Sequence, residues 1–208
     1  MRLYEFGPTR SIRVRWVLQE LGIDFDSTIV NLPRGDHRLP EFLKINPAGK
    51  IPVLVDGDLV LNESAAIAWY LAENYGGGRL VPSDARGRAQ ALRWTFFAVT
   101  ELEQPLWRIT KHTRLYPEEK RVPAEAELAR EDFGPMAAVL DDHLRGRDFI
   151  VGDALSVTDL VTAYTLDWAN ETHLLRDFPK LVDYLERIYR RPRAPARIAA
   201  EFARLAGA

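Results

Sequence analysis

Three consecutive glycines, Gly76-Gly77-Gly78, followed by Val81-Pro82-Ser83, separate two stretches of unlike hydrophobic periodicity. Such a cluster breaks a helix and suits a linker. Before it, strand and helix signals alternate; after it only helical periods persist. The pattern predicts a small mixed α/β domain over residues 1–76, a linker over 77–86 and an all-helical domain over 87–208.

In the first stretch, Leu3 to Phe6 can form a short strand. Ser11 to Leu21 then carries Val14, Val17, Leu18 and Leu21 at helical spacing, and Gly22 can end that helix. Thr28-Ile29-Val30 reads as a second strand, which makes the opening a βαβ unit with parallel strands. A short helix around Glu41 to Lys44 follows. Val53-Leu54-Val55 and Leu59-Val60-Leu61 flank Asp56-Gly57-Asp58, a turn signal between antiparallel strands. A further helix begins near Glu63 and sets Ser64, Ile67, Ala68, Leu71 and Tyr75 on one face.

Beyond the glycines, Phe133, Met136, Ala137, Leu140 and Leu144 keep a helical period. Ser156-Val157-Thr158-Asp159 reads as a capping box with Asp in place of Glu, and Val157, Leu160, Val161, Tyr164 and Trp168 form the buried face of the helix it starts. An aromatic-rich helix is expected from Leu92 to Thr113. The late run Arg187, Arg190, Arg191, Arg193 and Arg197 reads as a solvated helix end.

Composition removes several function classes. Twenty-eight basic against thirty acidic residues, a formal net charge of -2, supply no positive field for nucleic acid. The apolar runs are far shorter than the roughly 20 residues that span a bilayer, so no membrane partner is expected. The amino terminus lacks a signal-peptide pattern, which predicts a cytoplasmic protein. There is no cysteine, hence no disulfide and no protein thiol to act as nucleophile. His37, His112, His143 and His173 are scattered without metal-ligand spacing, so no metal site is expected.

Several short segments then occur in a telling order: Asp36-His37-Arg38, Pro40-Glu41-Phe42-Leu43, Asn46-Pro47-Ala48-Gly49-Lys50-Ile51-Pro52-Val53-Leu54, Asp56-Gly57, and Asn62-Glu63-Ser64-Ala65-Ala66-Ile67. With the βαβ-ββα order and the Ser156 to Asp159 element, they resemble the soluble glutathione transferases along the whole chain. Within that family the serine-type and bacterial non-cysteine classes are the nearest in pattern. The resemblance implies a thioredoxin-like domain with a mixed four-stranded sheet, followed by an all-helical domain that contributes the second-substrate pocket. It also implies a homodimer, with reduced glutathione as co-substrate and a small electrophile or peroxide as the other partner.

Glutathione offers three features to a receptor, and the resemblance assigns residues to each. Ile51 and Pro52 would pair the main chain with the cysteinyl residue as an added strand does, which the family achieves with a cis Ile51-Pro52 bond. Glu63 would meet the γ-glutamyl ammonium, and Ser64 at a helix start would meet its carboxylate. His37 and Lys50 would receive the glycine carboxylate, with Arg34 and Arg38 as competing donors.

The chemistry depends on the thiol, whose ordinary pKa near 8.5 leaves only about 3% thiolate at pH 7. Donors at the start of the first helix would lower it, and Thr9, Arg10 and Ser11 lie there. Ser11 and Thr9 are the catalytic candidates, Arg10 joins the glutathione contacts, and Tyr4 is a third sulfur donor to consider. Pro8 stands where some serine-type classes place their serine. The expected reaction is thiolate addition to an electrophilic carbon, as in detoxification. Peroxide reduction, isomerisation or dehalogenation on the same fold is the alternative, and a non-catalytic binding or scaffold role is the reading of a different class.

Overall fold

The computed structural model describes residues 1–207. They form two compact units: residues 1–81 together with 191–207, and residues 82–190. The division at Val81/Pro82 falls inside the expected linker. The carboxyl-terminal segment, expected with the helical domain, groups instead with the first unit.

In the first unit, β1 (Arg2–Glu5) is followed by α1 (Ser11–Leu21), β2 (Asp26–Ile29), α2 (Pro40–Ile45), β3 (Val53–Asp56), β4 (Leu59–Asn62) and α3 (Ser64–Tyr75). The strand order is β2-β1-β3-β4. β1 runs parallel to β2 and antiparallel to β3, while β3 and β4 form a hairpin in which Asp56 faces Leu59. Gly57 in that turn has φ 62°, a conformation glycine enters without a Cβ clash. Alternation along the strands separates two packed faces. Tyr4 and Val53 face α2, in a cluster with Val30, Phe42, Ile45 and Ile51. The paired Leu3 and Leu54 are fully buried on the other face, which α1 and α3 cover with Val14, Val17, Leu18, Ile67 and Leu71.

Helix α1 is held at both ends. At its carboxyl end Gly22 has φ 71°, and the Gly22 and Ile23 N–H groups donate back to Gln19 O and Leu18 O. Arg193 Nη1 donates to Gln19 O (3.3 Å) and Glu20 O (2.9 Å), and Arg79 Nη2 donates to Leu21 O (3.2 Å). Arg191 also pairs with the Glu20 carboxylate. These cations sit at the negative end of the helix dipole. The expected solvated helix end therefore holds for Arg187 and Arg190, at the end of α8, but not for Arg191 and Arg193, which dock the carboxyl-terminal segment onto α1. Nearer the start, Glu5 is 1% exposed and receives Arg15 at two points, Nε to Oε2 (3.1 Å) and Nη2 to Oε1 (2.7 Å). Ser27 Oγ donates to the same carboxylate, so one buried anion ties β1, α1 and β2.

Tyr75, placed by spacing on one face with Ser64, Ile67, Ala68 and Leu71, ends that stripe outside the core. It is exposed, and its hydroxyl and that of Tyr70 both donate to Asp56. Those donors hold the Asp56 carboxyl below its ordinary value.

The second unit is helical, with α4 (Ala85–Phe97), α5 (Glu103–Thr110), α6 (Pro123–His143), α7 (Val157–Glu171) and α8 (Pro179–Tyr189). The stretch expected as one helix from Leu92 to Thr113 widens to π geometry at Ala98–Leu102. Pro105 explains this, because it lacks an N–H and its ring crowds the carbonyl four residues back. The capping box at α7 is present: Ser156 N (2.8 Å) and Oγ (2.7 Å) donate to Asp159, which also receives Ile150 N and Tyr184 Oη. Burial pushes the Asp159 carboxyl up against the pull of these donors. A ninth helix, α9 (Ile198–Ala206), belongs to the first unit.

Removing one member of a buried ion pair strands the other. Glu5→Ala and Arg15→Ala are each expected to lower the unfolding free energy by about 3 kcal/mol. Urea denaturation followed by circular dichroism checks this.

Candidate functional site

The sequence-derived candidates lie in three segments of the first unit. The turn from Phe6 to Ser11 links β1 to α1. Its Gly7-Pro8 bond is cis, and its hydroxyls form a local circuit. Phe6 N–H donates to Ser11 Oγ (3.4 Å), Ser11 N–H donates to Thr9 Oγ1 (3.2 Å), and the two hydroxyl oxygens lie 2.9 Å apart. Thr9 Oγ1 also donates to the Phe6 carbonyl. Ser11 is buried at 1% exposure, whereas Thr9 and Arg10 are half-buried. Ser11 thus sits inside the turn and Thr9 stands nearer its surface. Tyr4 packs its ring edge-on against Phe42, with centroids 6.0 Å apart, in the cluster beneath α2.

The second segment combines the 36–38 turn with the loop before β3. Arg38 Nε donates to His37 Nε2 (3.2 Å). Gly49 has φ 60° and passes so close to the His37 carbonyl that a Cβ there would lie 3.1 Å from it. His37 and Lys50 are therefore carried on touching loops. Asn46, 2% exposed, organises the second loop: its Nδ2 donates to Lys50 O (2.7 Å), and its Oδ1 receives Ala48 N (3.2 Å) and Asn62 Nδ2 (3.4 Å). The Ile51-Pro52 bond is cis, as the resemblance implies. Pro52 is buried, and Ile51 lies outside the β1–β3 ladder, whose register ends at Tyr4↔Val53.

The third segment is the start of α3. Glu63 is exposed and has φ 67° and ψ 107°, a backbone conformation that costs a side-chain-bearing residue about 1–3 kcal/mol and concentrates at ligand sites. Ser64, 5% exposed, is the first helical residue, and its Oγ receives Arg13 Nη1 (3.2 Å). Asn62, hydrogen-bonded to Asn46, immediately precedes Glu63, so the second and third segments are physically joined.

Sequence reasoning gave no role to Arg13 and Asn46. Arg13 is 1% exposed. It lies on the α1 stripe of Val17 and Leu21, and a charge at i−4 on an apolar stripe was the available signal. Asn46 stood within a quoted motif, but its contacts are long-range or loop-specific and left no periodic trace.

The comparisons with known proteins bear on this arrangement. A model of the glutathione S-transferase N-terminal domain matches residues 9–74, and one of the C-terminal domain matches residues 104–192. Glutathione S-transferase F10 of Arabidopsis thaliana is 35% identical over 169 residues, 77% of this chain and 78% of that protein. The chain belongs to the glutathione S-transferase family. Glutathione S-transferase D7 of Drosophila melanogaster is 33% identical, over 88% of this chain and 82% of its own. Among solved structures, a glutathione transferase from Burkholderia graminis with two glutathione molecules bound per subunit superposes with TM-score 0.82 at 27% identity, covering 93% of this chain and 85% of that one. Glutathione transferase URE2P6 from Phanerochaete chrysosporium, in complex with oxidized glutathione, gives TM-score 0.84 at 26% identity over 99% and 96%.

Asn46 satisfies two partners in its own loop and Asn62 of β4 from a buried position. Asn46→Ala is expected to cost about 1–3 kcal/mol of stability, read as a lowered thermal midpoint. Amide exchange should rise at Ala48 more than in α1.

Proposed function

We propose that this glutathione transferase holds reduced glutathione along the edge made by Ile51, with Glu63 and Ser64 at the γ-glutamyl end and His37 and Lys50 at the glycine end, and that Thr9 stabilises the thiolate. The observation that carries the proposal is the convergence on Thr9 Oγ1. Ser11 N–H donates to that oxygen, and the Ser11 hydroxyl lies within hydrogen-bond distance of it while receiving Phe6 N–H. With its oxygen supplied by Ser11, Thr9 can turn its own proton from the Phe6 carbonyl to a sulfur. In this reading Ser11 acts through Thr9, and Arg10 adds positive charge at the helix start.

The holding groups match the ligand by charge. The exposed Glu63 carboxylate suits an ammonium, and Ser64, backed by the Arg13 guanidinium, suits a carboxylate. The thiolate sulfur then attacks an electrophilic carbon, a carbon–sulfur bond forms, and the leaving group departs with the electron pair. A second reading follows from the oxidized glutathione bound to the Phanerochaete relative. Two glutathione molecules and a hydroperoxide would yield the disulfide, an alcohol and water, with the thiolate attacking oxygen in place of carbon. We take the protein to be a homodimer, as the family resemblance implies; among the described residues no helix is long and apolar enough to cross a membrane.

The pH dependence of kcat/KM tests this assignment. Losing a charge-assisted hydrogen bond of about 1.5–3 kcal/mol raises the apparent thiol pKa by roughly one to two units. Thr9→Val is expected to show that rise in full, Ser11→Ala a smaller one, and Tyr4→Phe none. Glu63→Ala should instead weaken glutathione roughly tenfold and leave the pKa in place. An unshifted profile in Thr9→Val would move the donor elsewhere.

A further inference from the structure

The turn that carries Thr9 has a neighbour from the other end of the chain. Helix α9 passes over Gly7, and a Cβ built on Gly7 would lie 2.7 Å from Glu201 Oε2 and 3.2 Å from Glu201 Cδ. A Cβ there would push that carboxylate aside, so the glycine lets it lie against the turn two residues before Thr9. The Glu201 side chain is 19% exposed, and Oε1 receives Arg204 Nη1 at 3.1 Å. The contact is anchored upstream, where Arg191 and Arg193 fasten the same segment to the carboxyl end of α1. The segment thus lays cations at one end of α1 and an anion beside the other, in the sense the helix dipole favours.

We propose that Glu201 is a specificity-determining residue for the second substrate, placing a negative charge beside the sulfur position so that anionic electrophiles are disfavoured against neutral or cationic ones. The inference rests on the glutathione reading above. Thr9 marks the sulfur position, so an electrophilic carbon that meets the sulfur approaches the same turn that Glu201 covers. Arg204 offsets part of the charge. It is 73% exposed, however, and solvent screens it, whereas the carboxylate is four-fifths covered. An electrophile carrying its own carboxylate therefore meets a like charge at a partly desolvated position.

The test compares kcat/KM for chlorodinitrobenzene with that for the anionic chlorodinitrobenzoate. In both, the thiolate forms a carbon–sulfur bond, chloride leaves with the bonding electrons, and the thiol proton passes to solvent. Glu201→Gln keeps the shape and removes the charge. It is expected to raise the benzoate-to-benzene ratio by roughly three- to tenfold; a change in the thiolate fraction acts on both substrates alike and cancels in that ratio. Glu201→Asp keeps the charge and should keep the wild-type ratio. Raising ionic strength should narrow the wild-type discrimination but not that of Glu201→Gln. An unchanged ratio in a Glu201→Gln protein that still turns over chlorodinitrobenzene would overturn the inference and leave the glutathione reading standing. Failure of wild-type protein to bind glutathione in titration calorimetry would overturn both.

Discussion

Glu5 lies under the sheet at 1% exposure, where an unpaired carboxylate would cost several kcal/mol. Arg15 answers it through two hydrogen bonds from α1 and Ser27 through one from β2, so the anion fixes how the first helix leaves the first strand. The turn between them is the one that carries Thr9 and Ser11. Arg13, two residues before Arg15, reaches the opposite way to Ser64 at the head of α3. Two arginines of one helix thus tie the turn of Thr9 and Ser11 and the start of α3 into a single frame. The remaining carbonyls of that helix are closed by Arg79 and Arg193.

Most of the fold was legible in the residues because its signals are local. The span of α1 and its stop at Gly22 were read from spacing and glycine alone, as were the Asp56-Gly57 hairpin and the capping box at Asp159. The exposure of Tyr75 was not legible, because helical phase says which side a residue faces but not that two tyrosines would find a carboxylate at the rim. Arg191 and Arg193 depart from the solvated reading for a related reason. Charge just past a helix end looks solvated unless one knows that α1 ends beneath it.

The site was legible in a different way. Family-like segments singled out Lys50, Ile51, Pro52, Glu63 and Ser64 as candidates, and the structure joins those segments physically: Asn46 holds Lys50 and reaches Asn62, while Gly49 touches His37. That the turn buries Ser11 and leaves Thr9 nearer the surface was not legible, since two hydroxyls two residues apart carry no signal of their burial and partners. Glu201 could not be seen at all in the sequence, because its place depends on a contact between the two ends of the chain.

In the proposed function, holding glutathione and activating it fall to different residues, with Thr9 as the group proposed to meet the sulfur. A crystal structure with reduced glutathione bound tests that claim most directly. The account predicts the sulfur within hydrogen-bond distance of Thr9 Oγ1 and the cysteinyl main chain paired with Ile51. A sulfur seated against Tyr4, or a ligand bound away from the Glu63-Ser64 corner, would contradict it.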